Sequence, residues 1–101
     1  MYRDNLGISK VYEEAVKQDV IAKAANDILE LENVSASFVI APTGEGVISI
    51  SCRSYGDVNV QLIAEKLGGG GHMLAGAAQI EAADADAAEA MLKEAIDSIL
   101  G

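Results

Sequence analysis

The spacing of apolar residues switches along this chain between the helical and the strand period, and this constrains the fold more than any other feature. In the first third, apolar residues recur every three or four positions and predict a helix over residues 19–32 that ends at Asn33. The predicted apolar face consists of Val20, Ile21, Ala24, Ala25, Ile28 and Leu31. Earlier in the chain, Val11, Ala15 and Val16 fit either a backward extension of this helix or a separate element.

A β-hairpin is expected after this helix. Residues 36–41 have a continuous apolar centre, and residues 47–52 alternate small polar with apolar side chains, as strands do. The intervening residues 42–46 contain one proline and two glycines, which favour a turn. The two strands are therefore predicted to pair with each other.

The second half of the chain predicts two helices and a weaker strand. Residues 59–67 place apolar side chains on one face of a short helix, which Asp57 is expected to cap and Gly68 to end. Residues 75–81 are weakly strand-like, because three alanines and a glycine dilute the pattern. Residues 83–100 predict an alanine-rich helix. Its expected apolar face is formed by Ala87, Met91, Ala95 and Ile99.

The expected fold is a single small α/β domain, with a central mixed β-sheet that contains the hairpin and is flanked by helices. At 101 residues, half of them hydrophobic, the chain can bury one core. Residues 1–18 are assigned to a linker or N-terminal extension, and residues 19–101 to the domain. No apolar run reaches the roughly 18–20 residues of a membrane-spanning helix, so this segment is expected to be soluble. The single cysteine, Cys52, is expected to pack within a strand in a reducing compartment.

The net charge of −9 argues against wrapping around long nucleic acid, which requires extended basic surfaces. The charge is uneven, because residues 51–72 contain two basic and two acidic residues and are neutral as a window. A small anion can therefore still bind there. Lys66, within that window, fits either phosphate binding or an interaction with a helix dipole. Asp84 and Asp86 imitate a metal-binding motif, but we interpret them as caps of the last helix.

Four glycines at 68–71 precede the only histidine, His72. Glycine tolerates positive φ and lets a ligand approach the main chain, and consecutive backbone N–H groups can form an anion-binding nest. The alternative is a flexible connector followed by a surface histidine. Upstream, Arg53 closes a predicted strand between two serines, and Asn59 follows. Guanidinium, hydroxyl, amide, backbone N–H and imidazole groups together suit a phosphodiester ligand.

The segment SCRSYGDVNV at 51–60, followed by GGGGH at 68–72, resembles the DHH-associated substrate-binding domain of the DHH phosphodiesterase superfamily. The segments ASFVIA at 36–41 and GDVNVQ at 56–61 are similar to the C-terminal part of membrane-bound cyclic-di-AMP phosphodiesterases of Gram-positive bacteria. The resemblance covers roughly residues 19–99. Its specific part is the arginine–serine element combined with the glycine–histidine loop.

The resemblance implies a substrate-binding role for seven residues and a catalytic or metal-ligating role for none. Arg53 and Ser54 would hold one phosphate or the adjacent base, and Asn59 would hydrogen-bond nearby. The phosphate beside the metal ions would be bound by Gly69, Gly70, Gly71 and His72.

The resemblance also implies a larger enzyme. In this superfamily, two manganese ions are held by a preceding domain that contains an Asp-His-His triplet, and this chain has no such triplet. The chain is therefore expected to bind substrate for a hydrolase that converts cyclic-di-AMP to linear pApA, and to be inactive and without a cofactor of its own. The implied partners are a cyclic dinucleotide or short oligonucleotide and the preceding catalytic domain, with homodimerisation left open. The parent protein is expected to be anchored in the cell membrane, with this domain on the cytoplasmic side.

Two other functions are compatible with a similar motif. One is a cytosolic oligoribonuclease that also dephosphorylates 3′-phosphoadenosine 5′-phosphate. The other is a non-enzymatic nucleic-acid-binding module, as in alanyl-tRNA synthetase, which the acidic charge disfavours.

Overall fold

The computed structural model describes residues 2–3, 5–12, 16–44 and 46–101, which form one five-stranded mixed sheet and three helices. The strands are β1 (Leu6–Lys10), β2 (Ala36–Gly44), β3 (Val47–Ser54), β4 (Gly70–His72) and β5 (Ala75–Glu81). The helices are α1 (Gln18–Leu31), α2 (Val60–Lys66) and α3 (Ala85–Leu100). The predicted single α/β domain with a mixed sheet and a β2–β3 hairpin is confirmed.

The two faces of the sheet are covered unequally. The strand order is β1-β2-β3-β5-β4, and all neighbours are antiparallel except the parallel pair β1–β2. Helix α1 packs over β2 and β3 on one face, where Ile21 and Ala25 contact Val39 and Ala41. Helices α2 and α3 pack on the other face, in the core around Phe38. Since α1 makes no comparable contact with β5 or β4, no described helix covers these strands on the α1 face.

The N-terminal segment contributes a strand to this sheet. Strand β1 pairs with β2, and Leu6 is fully buried opposite Ala36. Residues 1–18, expected to be a linker or an extension, therefore include part of the sheet. Val11 and Val16, predicted either to extend α1 backward or to form a separate element, lie in neither α1 nor β1, and their backbone N–H groups donate to the Ile40 and Pro42 carbonyls of β2; Ala15 lies outside the described residues. The signal of β1 in the sequence is weak because only one of its five residues is fully buried.

The helices lie where the sequence predicts them, but their buried faces are rotated from the predicted ones. In α1 the buried residues are Ile21, Ala25 and Leu29, whereas Val20 and Leu31 are largely exposed. The buried face of α3 consists of Ala85, Ala88, Leu92, Ala95 and Ile96, and Met91 is exposed. Apolar residues border both stripes, so periodicity alone does not locate the centre of either face.

Three local predictions need correction. Helix α2 is capped by Asn59 and not by Asp57. Asp84 caps α3 through the Ala87 N–H at 2.8 Å, as predicted, whereas Asp86 instead accepts a hydrogen bond from Lys10. Strand β2 continues to Gly44 with a register shift, so the predicted turn at 42–46 is shorter; Glu45 lies outside the described residues.

Candidate functional site

Arg53 and His72 lie in one row across the sheet. The register pairs Arg53 with Ala75 and Ala75 with His72, and paired positions in a sheet share a face. The same row includes Ser37, whose hydroxyl donates to the Ala25 carbonyl of α1. The row therefore faces the α1 side, with Arg53 and His72 about two strand spacings, or roughly 10 Å, apart at their Cα atoms.

The next row on this face brings Gly70 beside Ala77. A Cβ placed on Gly70 would have no neighbouring atom within 4 Å, and the flanking alanines are only partly buried. Together, five residues form a shallow surface that none of the described helices covers. We call this surface the open face, and its residues are Arg53, Gly70, His72, Ala75 and Ala77.

Arg53 presents free donors to the open face. Its Nη1 donates to the Cys52 carbonyl at 2.8 Å and to Ser51 Oγ at 3.3 Å, which fixes the guanidinium against its own strand. A guanidinium has five N–H donors, so Nε and Nη2 are left for a ligand. No carboxylate of the described residues forms an ion pair with Arg53. Its charge is therefore available to an anion.

His72 has one ring nitrogen, Nε2, that is available to a ligand on the open face. The ring is exposed, and Nδ1 accepts a hydrogen bond from the Leu74 N–H at 3.3 Å. A nitrogen that accepts carries no proton, so the neutral ring is protonated at Nε2. The Nε2–H group is thus the donor that a ligand on the open face meets.

The first half of the glycine run completes a helix. The Gly68 N–H donates to the Glu65 carbonyl at 3.0 Å, and the Gly69 N–H donates to the Ala64 carbonyl at 2.8 Å. These two hydrogen bonds close the C-terminal turn of α2. The expected role of the Gly69 amide as a phosphate ligand is therefore not supported by the geometry, because that donor is already used.

The second half of the run is a strand and not the expected loop. Gly71 has a φ of 141°, and a Cβ there would lie 2.3 Å from the Ala75 carbonyl oxygen of β5. Sheet packing thus explains Gly71, whereas Gly70, which does not have positive φ, is the member of the run that faces open space. Within the described part of the chain, β4 pairs only with β5, so its outer edge carries unpaired backbone N–H groups.

The other polar residues predicted for the site have different surroundings. Ser54 is buried on the opposite face of the sheet, and its Oγ accepts the Gly56 N–H at 2.9 Å. The Oδ1 of Asn59 accepts two first-turn amides of α2, which leaves only its Nδ2 for other partners. Lys66 lines a cleft between α2 and α3 with Glu94, away from the open face.

Two clefts elsewhere among the described residues are lined by neither arginine nor histidine. One of about 610 Å³ lies between the β2–β3 turn and the start of α3, and one of about 350 Å³ lies beside Lys66. No group of three or more metal-ligating side chains occurs among the described residues.

Two further properties bear on function. Cys52 is fully buried, and burial raises the pKa of its thiol to about 12, so it packs as a neutral side chain, as expected.

No helix among the described residues is long and apolar enough to cross a membrane.

Residues 4–100 match the DHHA1 domain family. The chain belongs to this family. The match confirms the resemblance drawn from the arginine–serine and glycine–histidine motifs. It also begins fifteen residues before the resemblance detected in the sequence, so the DHHA1 domain includes strand β1.

Three curated relatives of this DHHA1 domain are named as cyclic-di-AMP phosphodiesterases. GdpP of Geobacillus thermodenitrificans is 49% identical over 92 residues, covering 90% of this chain and 14% of that protein. PdeA of Listeria monocytogenes is 43% identical over 99 residues, covering 97% of this chain and 15% of that protein. The DHHA1 domain thus spans only a small part of the relatives that it matches.

Solved structures share the fold. An exopolyphosphatase-related protein from Bacteroides fragilis superposes with a TM-score of 0.74 at 26% identity, covering 97% of this chain and 30% of that chain. A pGpG-specific phosphodiesterase, PggH from Vibrio cholerae, superposes with a TM-score of 0.67 at 21% identity, covering 98% and 35%. The second likeness concerns the fold alone.

Proposed function

We propose that this DHHA1 domain binds substrate for a manganese-dependent phosphodiesterase that hydrolyses cyclic-di-AMP to linear pApA. The observation that carries the proposal is the row in which Arg53, paired with no carboxylate of the described residues, and the Nε2–H of His72 flank a surface that no described helix covers. Charge-assisted donors of this kind bind phosphate strongly. The names of the relatives support a cyclic dinucleotide as the ligand.

Hydrolysis would take place in another domain of the same polypeptide, and the parent protein would be anchored in the membrane with this domain on the cytoplasmic side. Two manganese ions held there would supply an activated water and stabilise the attacking and leaving oxygens. Because the described residues contain no cluster of metal ligands, we assign none of them to these ions. The DHHA1 domain would bind and orient the diester for that reaction, and such orientation lowers the activation barrier by several kcal/mol.

In this proposal the residues of the open face have separate roles in binding the ligand. The Arg53 guanidinium binds one phosphate through two parallel N–H donors, and the His72 Nε2–H donates to a phosphate oxygen. Gly70 admits the ligand because it has no side chain, and the unpaired amides of the β4 edge add neutral donors.

The test is a titration of the isotope-labelled chain with pApA and with cyclic-di-AMP, followed by amide chemical shifts. Arg53, Gly70 and His72 should shift, and Arg53→Lys should weaken binding roughly ten- to a hundredfold, because a point charge cannot replace a planar fork. Lys66→Gln, which removes a cation from the other side of the sheet, should bind as the wild type does. The isolated chain with manganese should release no product from cyclic-di-AMP. Unshifted open-face amides, or turnover by the isolated chain, would contradict the proposal.

A further inference from the structure

Tyr55 lies next to the open face with most of its ring in solvent. The residue is 63% exposed, and its hydroxyl donates to the Leu29 carbonyl of α1 at 3.3 Å. That hydrogen bond places the side chain on the α1 side of the sheet, the side to which Arg53 also belongs. Strand β3 ends at Ser54, so Tyr55 lies directly beyond the strand and two residues after Arg53 in the chain.

The core does not account for this ring. Its exposure means that it buries little apolar area, and the single hydrogen bond fixes its position without enclosing it. Two further exposed apolar residues, Met73 and Leu74, form the turn between β4 and β5 at the same end of the sheet. The δ-carbon of Leu74 would lie 3.7 Å from a Cβ on Gly56, directly after Tyr55 in the chain.

The electrostatics of this end orient a nucleotide. Leu29 lies in the last turns of α1, where backbone carbonyls give a helix a partial negative charge. A phosphate is disfavoured there, whereas a neutral base is not. The donors for a phosphate belong to Arg53, two residues before Tyr55, and to His72, in the same row as Arg53. A nucleotide on the open face would therefore have its phosphate at Arg53 and His72 and its base towards Tyr55.

We propose that Tyr55 is a stacking platform for one purine base of the dinucleotide and so contributes to substrate specificity; this rests on the proposed function. A purine offers a large π surface, and aromatic side chains stack on such surfaces in an offset arrangement. The hydrogen bond to Leu29 holds the ring before the ligand arrives, which lowers the entropic cost of ordering it.

The experiment compares two probes that differ only in their bases: pApA and the corresponding 5′-phosphorylated abasic dinucleotide. Tyr55→Ala should weaken pApA binding roughly five- to a hundredfold and leave the abasic probe unchanged. Tyr55→Phe should bind pApA within about threefold of wild type, since it keeps the ring. Tyr12→Ala is the matched control, because Tyr12 is 68% exposed and hydrogen-bonded to Asp86, far from the open face.

A second readout does not depend on affinity. Ring-current shifts should move the adenine H2 and H8 resonances of bound pApA upfield with wild type and not with Tyr55→Leu, which keeps an apolar side chain. Equal losses for both probes, or unchanged adenine shifts between wild type and Tyr55→Leu, would overturn the role of Tyr55 and leave phosphate binding intact. Failure of wild type to bind either probe would overturn the proposed function and this inference together.

Discussion

At the residue scale, neighbours within one short motif have different roles. Arg53 belongs to the open face, Ser54 lies on the opposite face of the sheet, and Asn59 caps a helix. Residue types and the family resemblance predict Arg53, Ser54 and His72 alike as binding residues, and the structure places only Arg53 and His72 in one row of the open face. The sequence does not separate Arg53 from Ser54, because side chains alternate across a strand and β3 continues two residues further than its pattern predicts.

Asn59 is predicted to act as a helix cap only. Asn59→Ala should lower the free energy of unfolding by about 1 kcal/mol, whereas Asn59→Asp should retain it, because a carboxylate oxygen accepts the same amides. Urea unfolding measures both. Affinity for pApA should fall less than twofold in the Asp variant. A tenfold loss would instead show that Nδ2 contacts the ligand.

Cys52 is predicted to be unreactive in the folded protein. Burial raises the pKa of its thiol to about 12, so almost no thiolate is present at pH 8. A chromogenic disulfide reagent should label it only after urea is added. Rapid labelling in buffer alone would show that β3 opens locally, contrary to its central place in the sheet.

At the element scale, β4 is the part of the fold that the sequence could not predict. It has three residues, two of them glycine, and among the described strands it is hydrogen-bonded to β5 alone, with α2 packed against it. Glycine has low strand propensity, so pairing with β5 makes this segment a strand although its own preferences do not. By contrast, α1 and α3 have 14 and 16 residues, and their periodicity was sufficient to locate them.

A matched pair of glycine substitutions separates packing from ligand access. Gly71→Ala should destabilise the β4–β5 pair, because its φ is 141° and the new methyl would meet the Ala75 carbonyl oxygen. Gly70→Val should leave the melting temperature within about 2 °C, since it meets open space, and should weaken pApA binding by covering the open face. Circular dichroism and the pApA titration measure the two effects. Similar melting temperatures for Gly71→Ala and wild type would contradict the pairing of β4.

At the scale of the whole molecule, side-chain contacts join the N-terminal segment to α3. The Tyr2 hydroxyl and the Arg3 guanidinium both donate to the Asp97 carboxylate, and Lys10 contacts Asp86 and Glu89. Three acidic residues of α3 therefore bind this segment, and local sequence patterns do not predict contacts between residues so far apart in the chain.

The Asp97 contact predicts a dependence of stability on acid pH. The hydrogen bond from Tyr2, together with Arg3, holds the pKa of Asp97 below its ordinary value. A carboxyl whose pKa is lower in the folded chain stabilises the fold at pH values above its pKa in the unfolded chain, which is about 4. This stabilisation is lost as the pH falls through the pKa of the folded chain. Asp97→Asn should therefore melt below wild type at pH 7, and the difference should vanish towards pH 2. A difference that is constant with pH would rule out the charge as its cause.

The last prediction concerns whether strand β1 is required by the fold. Leu6 is fully buried in the main core, so Leu6→Ala should lower the free energy of unfolding by about 2–5 kcal/mol. The partly exposed Ile8 gives the control, and Ile8→Ala should cost less. A chain that starts at residue 11 should lose more than Leu6→Ala does, because it exposes the edge of β2 and removes the Lys10 contacts as well. Urea unfolding of the three variants measures this order. If the truncated chain unfolds at the wild-type midpoint, residues 1–10 contribute nothing to stability and belong to the linker or extension that the sequence predicts over residues 1–18.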